Sequence, residues 1–261
     1  MFPKKSLGQN FLHDMNIIKK IVNLTNVKGK HIIEIGPGRG SLTDEILDKN
    51  PKSIILIEKD NILSKRLSIK YKNNKKVKVF NNDILRYDLE KKINDKSIIF
   101  GNLPYNISSQ ILVKFLRLKK WPPKYSTLIF MFQKEMAERI IGKYGTKKYG
   151  RLSILTNYKL NVLKNFDVSP NCFFPVPKVL STVISFRPKT KVLNIKKIQN
   201  LEKISNILFS GKRKMINKNM KKLFNKKDFD YIANKIELSL RPSELKPEIF
   251  YKITEFYEKV N

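Results

Sequence analysis

Between His31 and Arg187 the apolar positions of the chain follow two alternating rhythms. HIIEIG, SIILIEKD, KVKVFNND and SIIFGN are short strand-like runs, rich in Ile, Val, Leu and Phe, that end in Gly, Asp or Asn. The segments SLTDEILDK and NILSKRLSIKY, and the one beginning near Ser108, instead repeat apolar residues every three or four positions. Continuously apolar runs are how parallel strands covered on both faces read, and the intervening period is helical. The pattern predicts a doubly wound α/β domain. YSTLIFMFQKEMAERI continues it with a strand and a helix, and LSTVISFRP adds a late strand. The run Arg187-Pro188-Lys189-Thr190 then breaks the alternation, and only helical periodicity follows, as in IQNLEKISNILF and PEIFYKITEFYEKV. The expected organisation is an α/β domain over 1–187 and a small all-helical domain over 188–261. Lys-rich stretches such as YKNNKKVKV read as surface turns.

Composition adds a possible partner and removes several chemistries. The chain has 261 residues, 41% of them hydrophobic, enough to bury a full core. MFPKKSLGQNF carries no leader-like apolar stretch and no run of 18 apolar residues occurs, so a cytoplasmic protein without a membrane span is expected. One cysteine, Cys172, permits no internal disulfide, and two histidines offer no zinc-like cluster. The net charge of +32 suits a polyanionic partner such as nucleic acid. Yet 45 Lys against 9 Arg, with 25 Asn, is also what A/T-rich codon drift would produce, so the position of the charge says more than its amount. The densest acid-free stretch is LFSGKRKMINKNMKKLFNKK, 208–227, with eight basic residues. Leu208, Ile216, Met220, Leu223 and Phe224 keep a helix-like apolar face, which would turn Lys212, Arg213, Lys214 and Lys218 outward. That face is either a phosphate-binding surface or simply solvated.

The first strand runs into EIGPGRGSLTDEI, where Gly36, Gly38 and Gly40 permit a tight turn and close backbone approach to a ligand. Ser41 occupies the position of the third small residue of a dinucleotide fingerprint, and Ser41 with Asp44 also matches a capping pair. A glycine turn alone does not single out a cofactor. Glu58 ends the second strand 22 positions beyond Gly36, where an acidic residue commonly binds ribose hydroxyls, and Asp83 ends the third. Carboxylates at successive strand ends grip an adenosine, and no basic partner for a pyrophosphate is evident, which favours S-adenosylmethionine over NAD. Asp83 can equally be a turn residue of Asn81-Asn82-Asp83.

At the fourth strand end stands GNLPYNIS. The exocyclic nitrogen of adenine is a poor nucleophile because its lone pair is delocalised into the ring. The Asn102 side-chain oxygen and the Leu103 carbonyl could accept its two hydrogens, with Pro104 fixing the turn and Tyr105 stacking on an extruded base. No strong base is needed when alignment and electrostatics carry the step. The other reading is a helix start with Asn as cap and Pro in the first turn.

With these motifs on view, the chain resembles the bacterial small-subunit ribosomal RNA adenine dimethyltransferases of the kasugamycin-sensitivity type. The resemblance runs through SLGQNFLHD, EIGPGRGSLT, IEKD, GNLPYNIS, QKEMAERI, YGRLS, FFPVPKV and GKRKMINKNM, which cover almost the whole chain in order. It implies a Rossmann-like S-adenosylmethionine-dependent methyltransferase domain with a cofactor-covering arm, 1–14, and an RNA-binding helical domain. It also implies that Asn10 and Leu12 cover the cofactor, Gly36 makes the glycine-turn contact, Glu58 holds the ribose, and Asp83 and Asn102 complete the pocket. The family's F-x-P-x-P pattern selects Phe173 over Phe174 as a second aromatic against the base. The implied partner is 16S ribosomal RNA, in the small subunit or its late assembly precursor, and the implied state a monomer. Two features depart from the family: Leu180 stands where an acidic residue is usual, and the basic motif is poorer in arginine, which loses bidentate grip on phosphate. Four other readings compete: the macrolide-resistance large-subunit methyltransferases, a DNA adenine methyltransferase, which commonly has an acidic residue where Asn102 stands, an assembly or transcription factor without catalysis, and a cytosine methyltransferase using Cys172.

Overall fold

The computed structural model describes residues 3–4 and 7–261, so positions 1, 2, 5 and 6 of the expected arm lie outside the described residues. In chain order the first half contains β1 (Phe11–Leu12), α1 (Met15–Val22), β2 (His31–Ile35), α2 (Ser41–Asp48), β3 (Ser53–Glu58), α3 (Asn61–Lys70), β4 (Val77–Asn81), β5 (Ser97–Asn102) and α4 (Ser108–Leu116). After them come β6 (Tyr125–Gln133), α5 (Lys134–Ile140), α6 (Arg151–Lys159), β7 (Leu160–Val168), β8 (Phe173–Phe174) and β9 (Ser181–Pro188). The helices α7 (Ile198–Phe209), α8 (Asn217–Met220), α9 (Lys226–Ala233) and α10 (Pro247–Val260) complete the chain.

Seven strands form one sheet in the order β4-β3-β2-β5-β6-β9-β7. The first five are parallel, with Ile33 opposite both Ile55 and Ile99, and β9 runs antiparallel to β6, with Ser181 opposite Gln133. The chain moves outward from β2 through β3 to β4, then returns to the other side of β2 for β5 and β6. Right-handed crossovers in opposite directions put α2 and α3 on one face and α4 on the other. This is the doubly wound arrangement expected, and its switch point lies between β2 and β5, where such sheets open a crevice for ligands. Ile54, Leu56, Ile98 and Phe100 of the sheet share a buried core with Ile18, Ile21 and Val22 of α1.

Local chemistry sets the helix starts. Asp14 caps α1 by accepting from Ile17 N at 3.0 Å, and Asp60 caps α3 by accepting from Ile62 N and Leu63 N. The capping role considered for Ser41 does not hold: Gly40 is the cap of α2, left-handed at φ 84°, and Ser41 is already helical. A Cβ on Gly40 would stand 2.6 Å from the Tyr71 hydroxyl, so only glycine suits the turn. Asp44 bonds that same hydroxyl at 2.7 Å instead of closing a capping box.

By backbone proximity the chain divides into 1–137 with 162–188, and 138–161 with 189–261. The later division falls after Pro188, one residue beyond the expected boundary, and 138–161 groups with the helical unit, which the pattern did not anticipate. The reason lies in α6, whose residues are buried nearly all round: Tyr251 donates to the Ile154 carbonyl at 3.1 Å and Tyr158 to that of Leu193 at 2.6 Å. The single amphipathic helix expected over 208–227 is also corrected. α7 stops at Phe209 and α8 has four residues, because the Asn219 amide turns back to bond the Leu208 carbonyl at 3.3 Å. Leu208, Ile216, Met220, Leu223 and Phe224 are nevertheless all buried.

Candidate active site

The crevice over β2 and β5 is lined by Asn10, Leu12, Gly36, Glu58, Asp83, Asn102, Leu103, Pro104 and Tyr105, so every expected cofactor residue and the whole Asn-Leu-Pro-Tyr corner meet at one cavity. Gly36 and Gly38 adopt left-handed φ values of 67° and 59°. A Cβ on Gly38 would lie 2.9 Å from the Phe11 ring, which shows how closely the arm approaches the glycine turn.

Glu58 is 6% exposed, and its two oxygens accept from Gly38 N at 3.1 Å and Asp60 N at 2.9 Å. Burial raises its pKa, while the backbone bonds pull the other way. A carboxylate has about four acceptor directions, so roughly two stay available to a pair of hydroxyls. Asp83 makes the contacts of a turn residue and also borders the cavity. One oxygen accepts from Leu85 N at 2.9 Å as a turn residue does, and the other pairs with Lys59 at 2.8 Å while the side chain lines the cavity. The Lys59 bond is the main cause holding this carboxyl below its usual range.

Glu34, which the sequence reading passed over, sits beneath the turn with 1% exposure and accepts from the Thr43 hydroxyl at 2.7 Å. Desolvation pushes its pKa up to about 7. Its position within an apolar strand was the available signal: a carboxyl there must be satisfied or functional.

The arm is tied down along its described length. Lys4 pairs with Asp60 at 2.8 Å, Gln9 donates to the same carboxylate at 3.2 Å, and the Asn10 carbonyl accepts from the Asn102 amide at 3.1 Å. Burial acts upward on Asp60, but its bonds from Lys4, Leu63, Ile62 and Gln9 together keep its pKa low. The Asn102 bond has a chemical consequence: with Nδ2 committed to the arm, Oδ1 is the end left to accept. Tyr105 is fixed from its far end, its hydroxyl 2.6 Å from Ser181 Oγ, while Ile107 N closes the turn on the Pro104 carbonyl at 3.1 Å.

Among the residues expected at this cavity, Phe173 is the exception. It is 1% exposed, packs in the core and is absent from the cavity wall, whereas Phe174 is 50% exposed. β8 pairs with β1, Phe173 opposite Leu12 and Phe174 opposite Phe11, and strand alternation sends the first ring inward and the second outward. The stacking face assigned to Phe173 is therefore closed in this structure. Cys172 is buried as well, and desolvation, followed by the nearby Asp14, pushes its thiol up, away from nucleophilic chemistry. Among the described residues no group of His, Cys, Asp or Glu is placed to hold a metal ion, and no helix is long and apolar enough to cross a membrane.

In the helical unit, Arg213, Lys214 and Lys218 surround a shallow basin together with Lys221 and Arg241, which the sequence reading did not single out, and one acid, Glu244. Lys212 is exposed but points elsewhere, donating to the Lys147 carbonyl at 2.9 Å.

A glycine turn under a buried carboxylate, with a second carboxylate beyond the next strand, fits the adenosine of S-adenosylmethionine, and the sheet order is that of Rossmann-like methyltransferases. A model of the family described as ribosomal RNA adenine dimethylase matches residues 3–259. The chain belongs to that family and is an S-adenosylmethionine-dependent ribosomal RNA adenine dimethyltransferase. It is 44% identical to the ribosomal RNA small subunit methyltransferase A of Pelagibacter ubique, over 98% of this chain and 97% of that one. It is 39% identical to the protein of that name from Malacoplasma penetrans, over 98% and 93%. The crystal structure of a dimethyladenosine transferase from Plasmodium falciparum superposes with a TM-score of 0.79 at 26% identity, covering 95% of this chain and 98% of that one.

Proposed function

We propose that this chain dimethylates the exocyclic N6 of two adjacent adenosines near the 3′ end of 16S ribosomal RNA, in the small subunit or its late assembly precursor, as a cytoplasmic monomer. The observation that carries the reading is the meeting of Asn102, Leu103, Pro104 and Tyr105 with Gly36, Glu58 and Asp83 at one cavity. S-adenosylmethionine, when bound, supplies an electrophilic sulfonium methyl group. The protein's part is to hold and align. Glu58 accepts from the ribose hydroxyls, Asp83 borders the base, and Asn10 and Leu12 close the arm over both.

Asn102 Oδ1, aimed by the arm's grip on Nδ2, accepts one hydrogen of the target amine, and the Leu103 carbonyl accepts the other. Hydrogen bonds to both N–H groups favour a pyramidal nitrogen whose lone pair is directed at the methyl group, so positioning replaces base catalysis. Tyr105, held by Ser181, stacks on the extruded base, and such stacking is worth about 1–3 kcal/mol. Arg213, Lys214 and Lys218 hold phosphates. The names of the curated relatives support the small subunit as substrate over the large one.

The test is to incubate the protein with labelled cofactor and small subunits lacking the modification, then map the label. Dimethyl-adenosine at two neighbouring positions, each halting reverse transcriptase, is expected. Only monomethyl-adenosine after prolonged reaction, or label in large-subunit RNA, overturns the assignment.

A further inference from the structure

Between β8 and β9 the chain exposes an unusual amount of apolar surface. Phe174, Val176, Val179 and Leu180 are 50%, 60%, 43% and 40% exposed, whereas the flanking Phe173 and Ser181 are 1% and 0% exposed. Single exposed apolar side chains are ordinary, but four within seven residues form a patch. The segment is also held rigidly at both ends. Phe174 is paired with Phe11, Ser181 with Gln133, and the Leu180 carbonyl accepts from Lys134 N at 2.9 Å. Pro175 and Pro177 fix two backbone torsions between those anchors, so little conformational freedom is left to lose when a partner binds.

We propose that the segment 174–180 is an apolar wedge that occupies the place of the target adenosine in its stack, covering the neighbouring base of the RNA while the adenosine is in the cavity. This rests on the reading of the cavity as an RNA adenosine site. Three observations select a nucleobase as occupant. The wedge is continuous with the target corner, since Ser181, the residue after it, bonds the Tyr105 hydroxyl at 2.6 Å. At its other end the Phe174 ring has the Arg39 guanidinium 5.6 Å from its centre, and Arg39 lines the cofactor cavity. The only charged residue within the segment, Lys178, is exposed and positive, as suits a surface laid against a polyanion. A base taken from its stack leaves an uncovered neighbour, and inserted apolar side chains are a general means of compensating that loss.

The test compares the unsubstituted protein with the variant Val176→Ser/Val179→Ser/Leu180→Ser and with Val176→Ser alone. Two substrates are used: small subunits reconstituted with intact RNA, and the same subunits with an abasic residue beside the adenosine pair, placed on each side in turn. Thermal midpoint and calorimetric cofactor affinity, neither of which the wedge governs, confirm that each variant is folded. The expected result is a loss of about tenfold in methylation rate on intact RNA for the triple variant, a smaller loss for Val176→Ser, and recovery of most of the rate where the neighbouring base is missing. Unchanged rates on intact RNA, or an equal loss on intact and abasic substrates, overturn the wedge and leave the segment to a protein partner or to packing. Failure of the unsubstituted protein to methylate any of the substrates overturns the adenosine site itself, and the wedge with it.

Discussion

Glu58 divides its acceptor capacity between the protein and a ligand. Gly38 N and Asp60 N take one direction on each oxygen, and the remaining ones are what a ribose diol would use. Only the ionised form accepts from two hydroxyls, and burial has raised the pKa of this carboxyl. In the free protein the raised value means that the folded state holds this proton more tightly than the unfolded chain. The group therefore contributes stability at low pH that is lost as pH rises through the folded value. Cofactor binding works in the opposite sense, since it needs the proton gone. We expect Glu58→Ala to weaken S-adenosylmethionine about tenfold or more, as charge-assisted hydrogen bonds are lost. In the unsubstituted protein affinity should fall on acidification, starting above the usual glutamate range, and the variant should lack that dependence. Calorimetric titrations at several values between about pH 5 and 8 check both; an affinity equal to that of the unsubstituted protein throughout removes Glu58 from the site.

At the scale of elements, the loop after β4 carries Asp83 to the cavity yet has little regular structure of its own. Its anchor is Lys114, reaching from α4 to donate to the carbonyls of Leu85 at 3.1 Å and Tyr87 at 2.8 Å. Desolvation lowers the pKa of this lysine, as expected for an amine drawn against a loop. α4 also follows directly on the Asn-Leu-Pro-Tyr corner, so a single helix steadies both the cofactor loop and the target corner. Lys114→Met leaves two carbonyls without their donor and should cost about 1–3 kcal/mol. At this chain length each kcal/mol lowers the thermal midpoint by about 2–4 °C. Cofactor affinity should fall with it through Asp83, and Lys114→Arg should restore much of both. A midpoint identical to that of the unsubstituted protein in differential scanning would contradict the anchoring role.

For the molecule as a whole the net charge of +32 poses the question of how much of it is functional. The helical unit gathers Arg213, Lys214, Lys218, Lys221 and Arg241 about one basin, while Lys212 is turned to the Lys147 carbonyl. Converting Arg213, Lys214, Lys218 and Lys221 to glutamine should weaken RNA binding and flatten its dependence on salt by about 0.7–0.9 log units for each phosphate contact removed. Lys212→Gln alone should change that slope little, and cofactor affinity should be untouched by either. Binding measured across a salt series decides the matter: a slope as steep as before would make the basin a solvated surface.

The alternation of strands and helices from 31 to about 140, and the late strand before Arg187, were legible in the chain, because each depends on local pattern. Buried parallel strands are apolar throughout, helices repeat every three or four residues, and ligand-binding side chains sit at strand ends. What tertiary structure alone decided depends on partners far away in sequence. β7 reads LNVLKNFDV, too polar to announce a strand, and exists because it lies at the edge of the sheet beside β9. Phe173 and Phe174 are neighbours with the same side chain, and only pairing with β1 determines which ring enters the core. Likewise 208–227 carries a helical rhythm, but burial of its apolar residues was achieved by a chain reversal that Asn219 holds in place. Periodicity specifies which residues leave water; the contacts available to them specify the backbone that takes them there.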